Sequence, residues 1–254
     1  MSPATAAERM TIAAARELSN QDVCFVGIGA PSEACNLARL THAPDIVLIY
    51  ESGTLATQPD VLPLSIGDGE LSKTALTNVS VPEMFRYWLQ GGHISVGFLG
   101  GAQIDRFANL NSTVIGDYDA PKVRLPGAGG APEIAAHCGR ILVVMKHARR
   151  AFVPQVDFVT SFGFGKGGRE REERGLTTKG MQRVITDLCI LEPSSEDREL
   201  EVVALQPEVT LDDVRANTAW DVRVRGTPTV AAEPTAEDLE VLRDLKARTE
   251  AARR

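Results

Sequence analysis

Short apolar runs alternate with helical patterns along most of the chain, which is typical of an α/β fold. Three apolar runs lead directly into glycine turns and are predicted to be buried strands: 23–29 (VCFVGIG), 46–50 (IVLIY) and 94–105 (ISVGFLGGAQID). Helical spacing predicts an N-terminal helix with Met10, Ala13, Ala14 and Leu18 on one face, and further helices over 31–41, 80–92, 211–218 and 236–254. We therefore expect an open, mostly parallel sheet with flanking helices, in a single domain that spans 1–254.

Several of these elements carry more detailed expectations. Ser32 is placed to cap the helix over 31–41, and Leu239, Leu242 and Leu245 share one face of the C-terminal helix. Met84, Tyr87 and Trp88 are expected on one side of the helix over 80–92, which two glycines should end. The second half has more strands and fewer helices, with strands predicted over 140–146, 156–162, 184–192 and 200–207. The segment 163–180, rich in glycine and charge, is the one stretch expected to be mobile.

Charge and hydropathy narrow the function classes. The 254 residues carry a formal net charge of -7, so the chain is a poor candidate for unaided binding to nucleic acid. No segment approaches the roughly 20 apolar residues that a membrane helix needs, so no membrane association is expected. The first residues lack the basic start and apolar block of a secretory signal. We expect a cytoplasmic protein.

Cysteine and histidine spacing gives no sign of a metal site. The four cysteines are scattered without a CxxC pair, and Cys24 and Cys189 lie in apolar runs as expected for small core residues. The four histidines, His42, His93, His137 and His147, show no ligand spacing, and each is expected either at the surface or next to site residues without binding a ligand itself. No metal site is predicted.

Glu51 stands where the strand over 46–50 ends and the turn Ser52-Gly53 begins. A carboxylate that loses water at such a place costs free energy unless something uses the charge. Two interpretations follow from the residues alone: Glu51 marks the exit of the strand to solvent, or it is a positioned nucleophile or base.

Glycine turns offer a setting for the second interpretation, because ligands of open parallel sheets gather where strand ends meet such turns. The turn at 27–32 (GIGAPS) lacks the third glycine of a dinucleotide fingerprint, and a tight structural turn explains it equally well. The loop at 126–130 (PGAGG) has consecutive glycines that can present N–H groups to an anion, although it can also be a plain loop. Next to a carboxylate it suggests an oxyanion hole, to which Gln103 would add a neutral donor.

Other polar and aromatic residues are expected to act structurally. The turn after Gln103 should be braced by its own side chains, those of Asp105, Arg106, Asn109 and Asn111. Asp68 and Glu70 should organise their loop, and Tyr50 and Trp88 should belong to the core.

Four separated motifs, in this order, resemble the β subunits of class I coenzyme A transferases, in the branch similar to glutaconate CoA-transferase. They are YESG at 50–53, LPLSIGDGEL at 62–71, GGAQIDRFANLN at 100–111 and KVRLPGAGGAPEIA at 122–135. The resemblance runs from about residue 8 to about residue 245 and implies the family's NagB-like α/β fold. It also implies an enzyme that takes coenzyme A as a substrate and holds no permanently bound cofactor.

The resemblance assigns roles to particular residues. Glu51 would attack the acyl-CoA thioester and then carry CoA as a glutamyl thioester, and Gly129, Gly130 and Gln103 would stabilise the oxyanions. Six residues would contact substrate or CoA: Gly27, Gly29, Ser52, Gly53, Gly127 and Ala128. Succinyl-CoA is implied as donor and 3-oxoadipate as acceptor, with an α subunit completing the site in an α2β2 assembly.

Three alternatives remain open at this stage. The acceptor can be glutaconate or another short acid. A related clade on the same fold opens a carbocyclic ring on a CoA thioester by hydrolysis, but it lacks a carboxylate equivalent to Glu51. A non-catalytic partner that binds acyl-CoA has no need of a nucleophile.

Overall fold

A computed structural model describes residues 2–253, and these form two compact units. The first unit runs from the N-terminal residues to Phe98 and takes in the residues from Ala232 onward. The second unit is Leu99–Ala231. The expectation of one domain over the whole chain stays a prediction.

The sheet strands of the first unit have the order β5-β1-β2-β3-β4. Its strands are β1 (Val23–Phe25), β2 (Val47–Ile49), β3 (Thr54–Leu55), β4 (Thr77–Asn78) and β5 (Val96–Leu99), which ends at the boundary between the units. β1 pairs in parallel with both β2 and β5, and the pairs β2–β3 and β3–β4 are antiparallel. Since β1 and β2 are parallel, the turns that follow them lie at the same edge of this sheet.

Helices of the first unit are α1 (Ala6–Ala15), α2 (Ala30–Leu40), α3 (Gly69–Thr74), α4 (Val81–Glu83), a π-helix (Met84–Leu89) and α8 (Ala236–Ala252). α1 and α8 both begin with a capping box, formed by Thr5 with Glu8 and by Thr235 with Asp238. The three leucines predicted to share a face of α8 are buried, which confirms that helix and its apolar side. Asp68 caps α3 and also accepts from the backbone N–H of Leu64, so it organises its loop as expected.

Two details of the helix predictions were wrong. Gly29, not Ser32, is the N-cap of α2, because Ser32 lies inside the first turn and uses its hydroxyl elsewhere. The helix predicted over 80–92 changes after one turn into the π-helix, whose wider turn rotates successive side chains relative to an α-helix. Met84 is therefore fully buried while Tyr87 is 57% exposed.

The second unit contains five neighbouring sheet strands and two hairpins. The hairpins are β6 (Gln103–Ile104) with β7 (Leu110–Asn111) and β8 (Val114–Gly116) with β9 (Pro121–Arg124). The sheet runs in chain order through β10 (Arg140–Val144), β11 (Met181–Ile185), β12 (Cys189–Pro193), β13 (Leu200–Leu205) and β14 (Arg223–Val230). The pairs β10–β11 and β13–β14 are parallel, and the two pairs between them are antiparallel. Its helices are α5 (Ala131–His137), α6 (Glu170–Glu173) and α7 (Leu211–Ala216).

Two strand predictions in this unit were wrong. The run over 184–192 is a hairpin, because the Thr186 hydroxyl accepts from the backbone N–H groups of Leu188 and Cys189 and turns the chain. The segment 156–162 forms no strand beyond an isolated bridge at Ser161. Its backbone N–H groups instead donate to Gln103 and to the carbonyl of Leu110, near the turn after Gln103.

The segment 163–180, expected to be mobile, is held by Arg171. This side chain is 3% exposed and donates to the carbonyl groups of Phe162, Gly163, Ala135 and Thr178. Burial lowers the pKa of its guanidinium to about 10. A buried cation with several acceptors fixes the backbone that surrounds it, so Arg171 anchors this glycine-rich segment, while residues 172–175 stay exposed.

His147 also departs from the prediction of a surface histidine. It is 3% exposed, stacks on Phe152 with ring centroids 3.7 Å apart, and bonds Thr186 and Thr218 through its two ring nitrogens. Cys189 is buried beside His147. Cys24 is buried in the first unit, and both cysteines are therefore confirmed as core residues. Across residues 2–253, no helix is long and apolar enough to cross a membrane.

Candidate active site

Glu51 lies in the tight turn that joins β2 to β3. The Gly53 N–H donates to the Tyr50 carbonyl at 3.0 Å, and the Tyr50 N–H donates to the Thr54 carbonyl at 3.2 Å. Tyr50 is fully buried, Glu51 is half-buried, and the strands on both sides are buried. The turn therefore presents a carboxylate at the end of a core strand with its backbone fixed on both sides.

Gly53 is required by this geometry. Its φ is +98°, and a Cβ atom there would lie 2.0 Å from the Val79 carbonyl oxygen. The same two residues are joined by a hydrogen bond from the Val79 N–H to the Gly53 carbonyl at 2.9 Å. Only glycine at position 53 permits Val79, the residue after β4, to lie this close to the Glu51 turn.

The turn Gly27–Gly29 lies at the same edge of the first unit. The Val26 N–H donates to the Ile49 carbonyl at 2.8 Å, so the ends of β1 and β2 are joined where the two turns begin. Gly29 is exposed, and no heavy atom lies within 4 Å of the position of an added Cβ. α2 begins here, and the N-terminus of a helix favours negative charge. The structure thus places five of the predicted residues at one edge of the first unit: Gly27, Gly29, Glu51, Ser52 and Gly53.

Gln103 lies in the second unit and its amide is held on three sides. Its Oε1 accepts from Asn111 Nδ2 at 2.7 Å and from the Asp157 N–H at 3.0 Å, and its Nε2 donates to Asp157 Oδ2 at 3.2 Å. Two donors on one atom and a carboxylate on the other fix which end is oxygen. Gln103 is buried, and among the described residues one Nε2 hydrogen has no hydrogen-bond partner, so its role as a neutral donor stays a prediction.

Asp157 was missed by the sequence analysis. Its Oδ2 also accepts from the Gly116 N–H at 2.8 Å, so one carboxylate links the Gln103 amide to the β8–β9 hairpin. It lies 54 residues from Gln103 in a segment predicted to be a strand, and no local pattern signals its role.

The turn after Gln103 is braced by its own side chains, as predicted. The Asp105 carboxylate accepts from the N–H groups of Phe107 and Asn109 and from the Asn109 side chain, all between 3.0 and 3.1 Å. Asn111 Oδ1 accepts from the N–H groups of Thr113 and Val114. Burial raises the pKa of Asp105 and the N–H donors oppose that rise, as expected of a structural carboxylate.

The glycine loop over 125–130 precedes α5. It is tied to Ser112, whose carbonyl accepts from the Gly127 N–H at 2.9 Å and whose hydroxyl donates to the Gly127 carbonyl at 2.8 Å. Gly127 and Gly129 have φ values of +107° and +50°, and no heavy atom lies within 4 Å of an added Cβ at either. Ala128 and Gly129 are exposed, and Gly130 is buried as the N-cap of α5. The loop is therefore open to solvent on the side where a Cβ would point.

A cavity of about 520 Å³ lies elsewhere in the second unit. Its lining includes Arg106, Phe107, Phe162, Lys166 and Arg174, and none of the residues predicted from the sequence to bind substrate. Over residues 2–253, no group of three or more His, Cys, Asp and Glu side chains is arranged to hold a metal ion.

Comparison with known proteins gives a consistent result. The family model for coenzyme A transferases matches residues 7–217. Over 252 residues the chain is 57% identical to one of the subunits of 3-oxoadipate CoA-transferase from Pseudomonas knackmussii, and the match covers 99% of this chain and 97% of the relative. It is 36% identical to the corresponding chain of glutaconate CoA-transferase from Acidaminococcus fermentans, over 85% of this chain and 83% of that one.

The fold agrees with these matches. The crystal structure of glutaconate coenzyme A-transferase from Acidaminococcus fermentans superposes with a TM-score of 0.89 at 32% identity, and covers 95% of this chain and 94% of that one. The resemblance seen in the four motifs and the predicted α/β fold are both confirmed.

Proposed function

Because this chain belongs to the coenzyme A transferase family, we propose that it is the β subunit of an enzyme that moves CoA from succinyl-CoA to 3-oxoadipate through a thioester on Glu51. The observation that carries this proposal is the placement of Glu51. A half-buried carboxylate stands at the end of a core strand, in a turn that a glycine and two backbone hydrogen bonds fix. The identity of 57% to a chain of 3-oxoadipate CoA-transferase supports the choice of acceptor.

The reaction consists of acyl exchanges that balance without a net proton. A Glu51 carboxylate oxygen attacks the thioester carbonyl of succinyl-CoA, and the C–S bond breaks to give a mixed anhydride and CoA thiolate. The thiolate attacks the glutamyl carbonyl, forming the Glu51–CoA thioester and releasing succinate. The carboxylate of 3-oxoadipate then attacks the glutamyl carbonyl of this thioester, and the C–S bond breaks to give a second mixed anhydride and CoA thiolate. The thiolate attacks the 3-oxoadipyl carbonyl of that anhydride, which forms 3-oxoadipyl-CoA and releases Glu51 as a carboxylate.

Each attack creates a tetrahedral oxyanion, and N–H donors placed at that oxygen lower the barrier. We assign this task to the N–H groups of Gly129 and Gly130 and to Gln103 Nε2. Gly27 and Gly29 would meet CoA at the edge of the first unit, together with Ser52 and Gly53, and Gly127 and Ala128 would contact substrate from their loop. The anhydride must be kept from water, because hydrolysis would end the cycle without transfer.

The active enzyme is proposed to contain an α subunit, as an α2β2 assembly. Both curated relatives are named as one subunit of their enzyme, which supports an enzyme built from two kinds of chain. Light scattering of this chain alone and with its α partner tests the assembly, and a stable, active β monomer would contradict it.

The function is tested by trapping the thioester. This chain is co-expressed with its α partner and mixed with succinyl-CoA without acceptor, and borohydride then reduces any glutamyl thioester to an alcohol. Peptide mapping should place the modification on Glu51. Glu51→Gln should remove it together with CoA exchange, while Glu240→Ala, an exposed glutamate of α8, should leave both unchanged.

Other outcomes decide against the proposal. Consumption of succinyl-CoA with free CoA released and no modified peptide would indicate hydrolysis on the same fold. A complex that binds succinyl-CoA without exchange, trapping or hydrolysis would indicate a non-catalytic acyl-CoA binder. Faster exchange with glutaconate than with 3-oxoadipate would change the acceptor and leave the mechanism intact.

A further inference from the structure

The residue before Glu51 takes part in a buried polar contact with helix α2. Tyr50 is fully buried, and its hydroxyl lies 3.0 Å from the Ser32 hydroxyl in the first turn of that helix. Burial raises the pKa of the phenol above its ordinary value, so Tyr50 stays neutral and adds no charge beside the carboxylate.

The contact continues along α2 to the other side of the Glu51 turn. Asn36 Nδ2 donates to the Ser32 carbonyl at 3.0 Å, and the Arg39 guanidinium donates through two nitrogens to Asn36 Oδ1 at 3.3 Å. Arg39 Nη2 also donates to the Pro59 carbonyl at 2.8 Å. One face of α2 therefore holds the chain at residue 50, just before the turn, and at residue 59, four residues after β3 ends.

Stability alone does not account for this arrangement. Ser32 and Asn36 are 1% and 0% exposed, and a buried polar network is often no more stabilising than apolar side chains of the same shape. What a fully bonded network adds is a single geometry for the elements that it joins. Here the joined elements are the Glu51 turn and the helix that begins at the Gly27–Gly29 turn.

We propose that this network positions Glu51 for attack on the thioester. The inference rests on the proposed role of Glu51 as nucleophile. Each half-reaction needs the same carboxyl group in line with a carbonyl or a thiolate, and a misplacement of about 1 Å can cost about 100-fold in rate. The positioning residues, called the α2 clamp from here on, are Tyr50, Ser32, Asn36 and Arg39.

Tyr50→Phe tests the clamp, because it removes one hydroxyl and keeps the ring. Thr249→Val is the matched control: Thr249 is 3% exposed in the same unit, and its hydroxyl accepts from the Leu62 N–H and donates to the Leu245 carbonyl. Both variants are measured in the αβ complex for melting temperature, for kcat and KM with succinyl-CoA, and for the rate at which the Glu51 thioester forms.

We expect both variants to melt at a lower temperature, since each loses a buried hydrogen bond. Only Tyr50→Phe should slow thioester formation and kcat, by about tenfold, with KM for succinyl-CoA unchanged. A Tyr50→Phe enzyme that forms the thioester at the wild-type rate would overturn the proposal. Failure of the proposed function is seen separately, because wild-type enzyme would then carry no modification at Glu51.

A second variant covers the case in which Tyr50→Phe does not assemble. Arg39 is half-buried, and Arg39→Lys keeps its charge but loses the planar group that reaches Asn36 and the Pro59 carbonyl together. We expect thioester formation to slow several-fold, again with KM unchanged. Wild-type rates in Arg39→Lys would equally refute the clamp.

Discussion

Replacement of Gly53 by alanine should disrupt the Glu51 turn more than the same change at any open glycine of the first unit. The added Cβ would lie 2.0 Å from the Val79 carbonyl oxygen, whereas ordinary contacts begin near 3.4 Å. The two chain segments must separate by about 1.4 Å, the difference between these distances. That separation breaks the hydrogen bond from the Val79 N–H to the Gly53 carbonyl.

Gly92→Ala is a matched control. Gly92 also has a positive φ, +77°, but no heavy atom lies within 4 Å of an added Cβ. Both variants lose about 1 kcal/mol of stability by placing an L-residue in the left-handed region. Gly53→Ala also loses the hydrogen bond from Val79 and displaces the segment that follows β4, and these two effects lower the free energy of unfolding by about 2 kcal/mol more.

Thermal denaturation of the αβ complex measures the difference. At roughly 2–4 °C per kcal/mol for a chain of this size, Gly53→Ala should melt roughly 4–8 °C below Gly92→Ala. The displaced turn carries Glu51, so kcat should fall by about tenfold or more in Gly53→Ala and stay near wild type in Gly92→Ala. Equal melting temperatures and equal activities would refute the view that the contact with Val79 fixes this turn.

Two further predictions concern the second unit. Burial lowers the pKa of His147 to about 4, so between about pH 6.5 and pH 4 the unfolded chain binds a proton that the folded chain does not. The free energy of unfolding should therefore fall by up to about 3 kcal/mol as the pH drops through this range, and His147→Gln should remove that loss while the exposed His42→Gln keeps it. Urea titrations at about pH 7 and about pH 4.5 measure this, and an unchanged pH dependence in His147→Gln would place the titration elsewhere. Asp157→Asn should free the Gln103 amide and lower kcat several-fold, by the loss of a charge-assisted bond, with KM changed little. If Gln103→Ala is slow and Asp157→Asn is as fast as wild type, Asp157 does not orient the amide.

Patterns within a short stretch of sequence were enough to predict some elements, some core residues and one candidate site residue. α8 could be found because three leucines at helical spacing share one face, and the core residues Cys24 and Cys189 because they lie in apolar runs. Glu51 stood out for a similar reason, as a charge placed directly after a buried apolar run.

The wrong or missing predictions have a common cause. Each depends on a hydrogen bond to a residue that is distant in the sequence, or on a polar residue inside an apolar run. The hairpin within 184–192 depends on a threonine hydroxyl that turns the chain inside an otherwise apolar run. Arg171 lies in the segment that its glycine and charge content predicted to be mobile, but its side chain donates to carbonyl groups as far away as that of Ala135. Asp157 reaches Gln103 across 54 residues, and no period or motif of one segment contains that contact.

The cost of building the Glu51 turn supports the proposed role of Glu51. Of the four buried side-chain polar atoms without a hydrogen-bond partner among the described residues, two are the hydroxyls of Ser52 and Thr54. Ala56, just past β3, has a φ of +50°, a conformation that costs a residue with a Cβ about 1 kcal/mol. Unsatisfied groups and strained backbone lower stability wherever they occur, so their concentration close to one carboxylate needs another reason. The proposed role of Glu51 as nucleophile supplies that reason, because it requires one fixed geometry, which the proposed α2 clamp and Gly53 would hold against local preference.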